Sequence, residues 1–324
     1  MLEGKTFLVT GATGRLGSET VLRLEELGAR VLPLALPGYP HEPKRVAWKA
    51  RRRPIPICGL ADLEDLEAPD DIINYHWAVD RTLSFADQLL FEISSNIHRP
   101  AFLWEWLRDK PLARFVNISS IKVYGPLTNG PVSSETEPRP DSPYGIAKLA
   151  AEHCFDVFFQ SSGWQVTHLR LCSVASCGEH PSHLMSRLYE SAFGERPFTL
   201  NRGNICSILY IDEAVDLVIS AALTADRRRY LVMADPLAVG RMASMFEEIS
   251  GKKVHALYAG EQPGIVERAF VSDRERLCAT WTRIVPPERM IRLYIDARKQ
   301  AESGTRSADP HLDRPEGEYH AKSS

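Results

Sequence analysis

Apolar positions along this chain keep two rhythms in turn: short unbroken runs, and longer stretches in which they return every three or four residues. The first kind suits strands buried on both faces, and the second suits helices with one buried stripe. Residues 5–10 form the first run and lead through Gly11, Gly14 and Gly17 into a helical pattern with Leu16, Thr20, Leu24 and Leu27 on one face. Further strands are predicted at 30–36, 55–58, 71–75, 114–120 and 164–171, and helices at 62–66, 84–107 and 143–158. The stretch 37–56, rich in proline and basic residues, reads as a long loop. Strands alternating with helices over this length predict an α/β fold built on a doubly wound parallel sheet.

The rhythm changes after residue 171. Helices predicted at 181–193, 212–223, 240–249, 273–279 and 287–300, with strands at 205–210 and 230–233, read as a smaller C-terminal α/β lobe over the carboxyl edge of the sheet. The expected organisation is a sheet domain over 1–171, a lobe over 172–302 partly interleaved with the sheet, and a disordered tail over 303–324, which is polar and lacks apolar periodicity.

A hydrophobic share of 44% in 324 residues is ample for a sizeable core. The net charge of -3 gives no global pull toward nucleic acid or an anionic membrane, and the basic run from Lys44 to Arg53 reads as a solvated loop. The six cysteines include no C-x-x-C pair and no metal spacing, so reduced thiols and no metal site are expected. A first strand starting by Lys5 leaves no room for a signal peptide, and no apolar segment reaches the ~18 residues a spanning helix needs. A cytoplasmic, soluble protein is the expectation.

Candidate chemistry begins at the glycine turn. Glycines let the backbone turn sharply and approach a ligand, and the free N–H groups of a helix start attract an anion, here a dinucleotide pyrophosphate. The match to G-x-G-x-x-G is partial, because Gly14 and Gly17 fit while Ala12 takes the first place and Gly11 stands one position early. The second strand ends in Ala35, Leu36 and Pro37, with no carboxylate to accept from a ribose 2′-hydroxyl. NADP is therefore slightly favoured over NAD, with Arg15, Lys44 and Arg45 as partners for a 2′-phosphate. Tyr144 and Lys148 lie four apart at the start of one helix and so share a face. A neighbouring ammonium favours the phenolate of a tyrosine, and the strand-end hydroxyl of Ser120 or Ser119 can bind a substrate oxygen. Tyr144 could then move a proton at that oxygen while hydride passes to or from a nicotinamide.

In these residues the chain resembles the extended short-chain dehydrogenase/reductase family, the NAD-dependent epimerases, dehydratases and reductases that mostly act on nucleotide sugars. The resemblance runs from about Lys5 to Arg298 and rests on Thr10-Gly11-Ala12-Thr13-Gly14-Arg15-Leu16-Gly17, Ser119-Ser120-Ile121-Lys122-Val123-Tyr124-Gly125, Ser142-Pro143-Tyr144-Gly145-Ile146-Ala147-Lys148 and Tyr210-Ile211-Asp212-Glu213-Ala214. It implies a Rossmann-like fold and a catalytic set of Tyr144, Lys148 and Ser120, with Lys148 also holding the nicotinamide ribose. Gly11, Thr13, Gly14, Arg15, Leu16, Gly17, Asn74, Asn96, Tyr144 and Lys148 are the implied cofactor contacts, and a homodimer through a helix pair is suggested.

Departures from the family pattern bear on the substrate. Gly59 replaces an adenine-contacting Asp after the third strand, the common H-L-A-A reads Asn74-Tyr75-His76-Trp77, and an N-V-Y-G-P-type segment reads Ser173-Val174-Ala175-Ser176-Cys177. His76 and Trp77 are expected to crowd the nicotinamide side. The Asp-Glu pair of the family's 4,6-dehydratases is replaced by Ile121 and Lys122, so dehydration is not expected. Cys206 stands where nucleotide-sugar members carry a diphosphate-gripping Arg, with Arg202 and Arg268 as substitutes in the expected lobe. The leading expectation is an NAD(P)-dependent oxidoreductase or epimerase acting on a carbinol or ketone carbon of a sugar or sugar-like small molecule. The alternative is a redox-inactive dinucleotide-sensing regulatory protein, against which the retention of Tyr144, Lys148 and Ser120 together counts.

Overall fold

The computed structural model describes residues 2–35, 55–56, 59–111, 114–125, 131–200, 204–258 and 270–303. The predicted loop 37–56 apart from its last two residues, Lys44, Arg45, Arg202, Arg268 and nearly all of the predicted tail lie outside them.

In chain order the elements are β1 (Thr6–Thr10), α1 (Arg15–Glu26), β2 (Arg30–Ala35), β3 (Ile55–Pro56), β4 (Asp71–Asn74), α2 (Phe85–Ile93), α3 (Ala101–Arg108), β5 (Arg114–Ser120), α4 (Pro143–Phe158), β6 (Gln165–Leu171) and β7 (Ser173–Ala175). There follow α5 (Leu184–Gly194), β8 (Phe198–Leu200), β9 (Ile205–Cys206), β10 (Ile208–Tyr210), α6 (Ile211–Thr224), β11 (Arg229–Val232), β12 (Leu237–Ala238), α7 (Val239–Ser250), β13 (Ala256–Tyr258), α8 (Arg274–Leu277) and α9 (Pro287–Ser303). Seven strands form one parallel sheet in the order β11-β6-β5-β4-β1-β2-β3. The fold is the expected doubly wound, Rossmann-like one.

Both faces of that sheet are covered, which is why its strands are apolar without alternation. One layer holds α1 and α6, and the other holds α2 and α4. Helix α6 is buried almost all round because α1, α8 and the sheet surround it, and the three carboxylates it carries inward meet arginines: Asp216 pairs with Arg23 and Arg283, Asp212 with Arg283, and Glu213 with Arg274. Strand β11 joins the sheet beside β6, so the chain after Leu171 supplies one of its edges.

Two predicted elements are divided. The continuous helix 84–107 becomes α2, a π turn over Ser94–His98 and α3, because Pro100 has no N–H to give to the preceding turn. The strand 205–210 breaks at Ser207, so that β9 pairs with β12 and β10 with β7. Together with the β8–β13 pair and helices α5, α7 and α9, these short pairs build the smaller lobe.

A row of buried polar side chains crosses the sheet at its carboxyl side. Thr10 Oγ1 donates to Asn74 Oδ1 (2.5 Å), Asn74 Nδ2 to Asn117 Oδ1 (3.0 Å) and Asn117 Nδ2 to His168 Nδ1 (3.2 Å). His168 Nε2 therefore carries the ring proton and donates to Asp156 Oδ1 (3.1 Å). These are in-register neighbours on β1, β4, β5 and β6, so a slip of one residue would leave each group buried and unpaired. The row also holds the next segment, since His76 N donates to Thr10 Oγ1 (3.2 Å).

Candidate active site

The glycine turn after β1 is shaped by close backbone contact. Gly11 adopts φ +62°, a left-handed conformation, and a Cβ there would lie 2.8 Å from His76 N; a Cβ on Gly17 would strike the Gly11 carbonyl. No side chain caps α1, whose N-cap is Gly14, so the helix presents its first-turn N–H groups bare. That cradle fits a pyrophosphate and supports a dinucleotide cofactor. Leu16 packs against the core below the turn. Arg15 reaches across to the smaller lobe, donating to Ser176 Oγ at 2.5 Å with Glu179 and Tyr294 nearby.

Asn74 is spent within the cross-sheet row. Asn96, buried in the π turn, clamps the segment after β4: its Oδ1 accepts from Ala78 N (2.6 Å), and its Nδ2 donates to Ala78 O (2.9 Å) and Glu92 O (2.8 Å). Both asparagines thus tie the segment around the end of β4 to its neighbours.

At the end of β5 the two serines part. Ser119 Oγ points inward to Glu152 Oε1 (2.6 Å), whereas Ser120, on the opposite face of the strand, keeps a half-exposed hydroxyl that accepts from Lys122 N (3.2 Å) and bonds the Tyr144 phenol. Of the two hydroxyls, that of Ser120 is the one beside Tyr144. Helix α4 opens with Ser142 as its cap, its Oγ accepting from Gly145 N (3.2 Å), and with Pro143 in the first turn. This start places Tyr144 and Lys148 on the face toward Ser120, with the Lys148 ammonium 5.7 Å from the Tyr144 ring centroid.

The electrostatics run against the simplest expectation for this pair. Burial pushes the Tyr144 phenol up to about 12, the Ser120 hydrogen bond pulling the other way, and burial pushes Lys148 down to about 7 against the upward pull of Glu92 and Glu152. Lys148 Nζ donates to Ile118 O (2.8 Å) and lies 3.7 Å from the centre of the Trp77 ring. Trp77 in turn meets the Tyr144 ring edge-on at 6.0 Å. Trp77 is thus in direct contact with both members of the pair. His76 is buried with Nε2 at 3.1 Å from Ser95 O, and burial pushes it down to about 4, so it is neutral near pH 7.

The profile of the NAD dependent epimerase/dehydratase family matches residues 7–232. The chain belongs to this family. Among curated relatives, UDP-glucose 4-epimerase 4 of Oryza sativa subsp. japonica is 28% identical over 308 residues, covering 83% of each chain. Among solved structures, the UDP-glucose 4-epimerase of Thermotoga maritima with UDP-glucose has a TM-score of 0.76 at 20% identity, covering 92% of this chain and 99% of that one. The UDP-glucose 4-epimerase of Thermus thermophilus in complex with NAD has a TM-score of 0.72 at 24% identity, covering 91% and 99%. At these identities the structural likeness establishes the fold.

Two features of this family member were not singled out from the sequence. Glu92 is fully buried beside the site; a lone carboxylate within the apolar stretch Leu89-Leu90-Phe91-Glu92-Ile93 was the available signal. Arg170 is almost fully buried beneath it, held bidentately by Glu152. No described helix is long and apolar enough to cross a membrane, and no metal-binding group of three side chains occurs among the described residues.

Proposed function

We infer that the protein is an NAD(P)-dependent epimerase or oxidoreductase acting on a carbinol or ketone carbon of a sugar or sugar-like substrate. The observation that carries this reading is the placing of Tyr144, Lys148 and Ser120 together, next to a segment, 76–77, that also backs the glycine turn. When bound, the dinucleotide supplies the hydride acceptor and donor. Ser120 holds the substrate oxygen, Tyr144 exchanges the proton there, and Lys148 holds the cofactor ribose, its ammonium when charged opposing the burial that raises the phenol. With its pKa near 12, Tyr144 is protonated in the present arrangement, which suits donation to an alkoxide forming on the reacting carbon. The names of the relatives support NAD, while the lack of a carboxylate at Ala35 supports NADP. Paired titrations with both dinucleotides decide between them.

The test is incubation with dinucleotide and a panel of sugars and sugar nucleotides, followed by absorbance near 340 nm and proton NMR of the products. Inversion or oxidation at a carbinol carbon is the expected result; a 4-keto-6-deoxy product would overturn the exclusion of dehydration, and no change across the panel would favour the sensing alternative. Lys148→Met is expected to weaken dinucleotide binding and slow turnover together, because one amine serves ribose and phenol. Unchanged affinity in that variant would remove the amine from cofactor binding.

The names of the relatives speak for a nucleotide sugar, whereas one position in this chain speaks against a grip on its diphosphate. Cys206 lies half-buried on β9, and burial raises its thiol to about 11, so it offers no charge where the related enzymes place a guanidinium. Such charge-assisted bonds are worth about 1.5–3 kcal/mol each, so UDP, GDP and dTDP are expected to bind at least roughly tenfold more weakly than to a site with that arginine. Calorimetric titration checks this, and micromolar binding of any of the three would contradict it. Association as a homodimer is supported by the exposed Phe85 and Leu90 on α2 and Val157 on the neighbouring α4. Light scattering is expected to give twice the 36.4 kDa chain mass, and Leu90→Glu the single mass; a wild-type monomer overturns the assignment.

A further inference from the structure

Above Lys148 a carboxylate, an indole and an ammonium lie in sequence. Glu92 Oε2 accepts the Trp77 Nε1–H at 3.1 Å, and the face of the same indole lies against Lys148 Nζ at 3.7 Å. The other oxygen, Glu92 Oε1, accepts from Gln88 Nε2 (2.7 Å), and the Glu92 backbone carbonyl is the anchor of Asn96. An anion pulling on the indole N–H raises electron density over the ring, and a ring so polarised holds a cation more strongly. Indole and carboxylate therefore act on the ammonium as one unit.

The other acid near Lys148 is already engaged. Glu152, one turn along α4, is gripped by Arg170 through both oxygens and by Ser119. The hydrogen-bond donors to the Glu92 carboxylate are the neutral Gln88 amide and Trp77 indole, with Arg81 and Lys148 as the charges that act on it. The remaining titratable neighbours of Lys148 are Tyr144, on its own helix, and His76, after β4, which is neutral across the working range.

We propose that Glu92 is a positioning residue for the reaction inferred above: by holding the indole of Trp77 it seats the ring on Lys148, keeping that amine charged and aimed at the cofactor ribose. The proposal rests on the reading of Lys148 as the ribose ligand. Its sign follows from the charges. Burial drives Lys148 toward neutrality and Glu92 opposes it, so removing the Glu92 charge lets Lys148 lose its proton at lower pH. Dinucleotide affinity, which needs the ammonium, then fades at lower pH as well.

The experiment is the dissociation constant of NAD, by calorimetry, from pH 5.5 to 9.5 for the full-length wild type and for Glu92→Gln, Glu92→Asp, Trp77→Phe and Lys148→Met. Wild-type affinity is expected to fall as pH rises through the Lys148 ionisation. Glu92→Gln keeps an acceptor for the indole and hence the packing, and should move the midpoint to lower pH by about one unit, the lower end of the effect of a close opposite charge. Trp77→Phe keeps a ring but frees the carboxylate, and should shift in the same direction; Glu92→Asp should restore the wild-type midpoint. Lys148→Met should bind weakly with no such pH dependence, which identifies the titrating group. A Glu92→Gln midpoint equal to wild type, in protein whose Lys148→Met variant has lost the dependence, overturns the proposal alone. A pH dependence that survives in Lys148→Met overturns the reading of Lys148 itself, and the proposal with it.

Discussion

Replacing Tyr144 by Phe is expected to cut turnover by about 10²–10⁴-fold, the usual contribution of a positioned acid–base group, while dinucleotide affinity stays close to wild type. The separation follows from geometry. The phenol oxygen bonds Ser120 at the end of β5, whereas the proposed pyrophosphate cradle is the separate Gly11–Gly17 turn. A phenyl ring keeps the edge-on contact with Trp77 at 6.0 Å, so the packing around Lys148 survives the loss of the hydroxyl. Single-turnover rates on a substrate found by the panel above, together with a calorimetric NAD titration, separate the two quantities. Turnover within a few-fold of wild type would remove the phenol from the mechanism; a large loss of NAD affinity would mean that the hydroxyl also serves the cofactor.

The second large effect concerns stability. Arg170 is 1% exposed and Glu152 wholly buried, joined by Nε to Oε1 at 3.0 Å and Nη2 to Oε2 at 2.7 Å, with Tyr124 Oη and Ser134 O taking up Nη1. Removing one partner of a buried pair costs about 3–5 kcal/mol when the other charge is left alone, and here Glu152 keeps only the longer contact with Arg229 Nε at 3.4 Å and the Ser119 hydroxyl. Arg170→Met should therefore lower the urea midpoint sharply with little change in m, and Arg170→Met combined with Glu152→Leu should recover part of the loss. A loss under about 1 kcal/mol for the single change would place the pair with exposed ion pairs. The pH sign is set by Glu152. Burial alone would raise its carboxyl, but the hydrogen bonds and charge of Arg170, with the Ser119 hydroxyl, outweigh that and hold it below its ordinary range. The associated stability is present above about pH 4.3, the ordinary glutamate value, and is lost as pH falls through the depressed folded value. Arg170→Met should flatten that part of the stability–pH curve.

What the sequence determined by itself was whatever depends on local pattern. Apolar runs alternating with helical spacing were enough for the parallel sheet, and the order of glycine turn, strand-end serines and Tyr144/Lys148 was enough for the family, because each motif is short and its geometry is set by one turn of backbone. Element ends were legible to within a few residues where a cap marks them, as at Ser142 and Pro143, and less so where a proline interrupts continuous periodicity, as at Pro100. Only the tertiary structure decided what distant residues do to one another. Residue position alone left Ser119 and Ser120 open and the family motif pointed to Ser120, but that Ser119 is turned to Glu152 depends on which side of β5 faces that acid. It could not place β11 at the sheet edge, because strand pairing between residues far apart leaves no trace in spacing. Nor could it show that Glu92, fifty-six positions before Lys148 in the chain, reaches that amine through an indole: charge and burial act over ångströms in space, and the fold alone converts sequence separation into those distances.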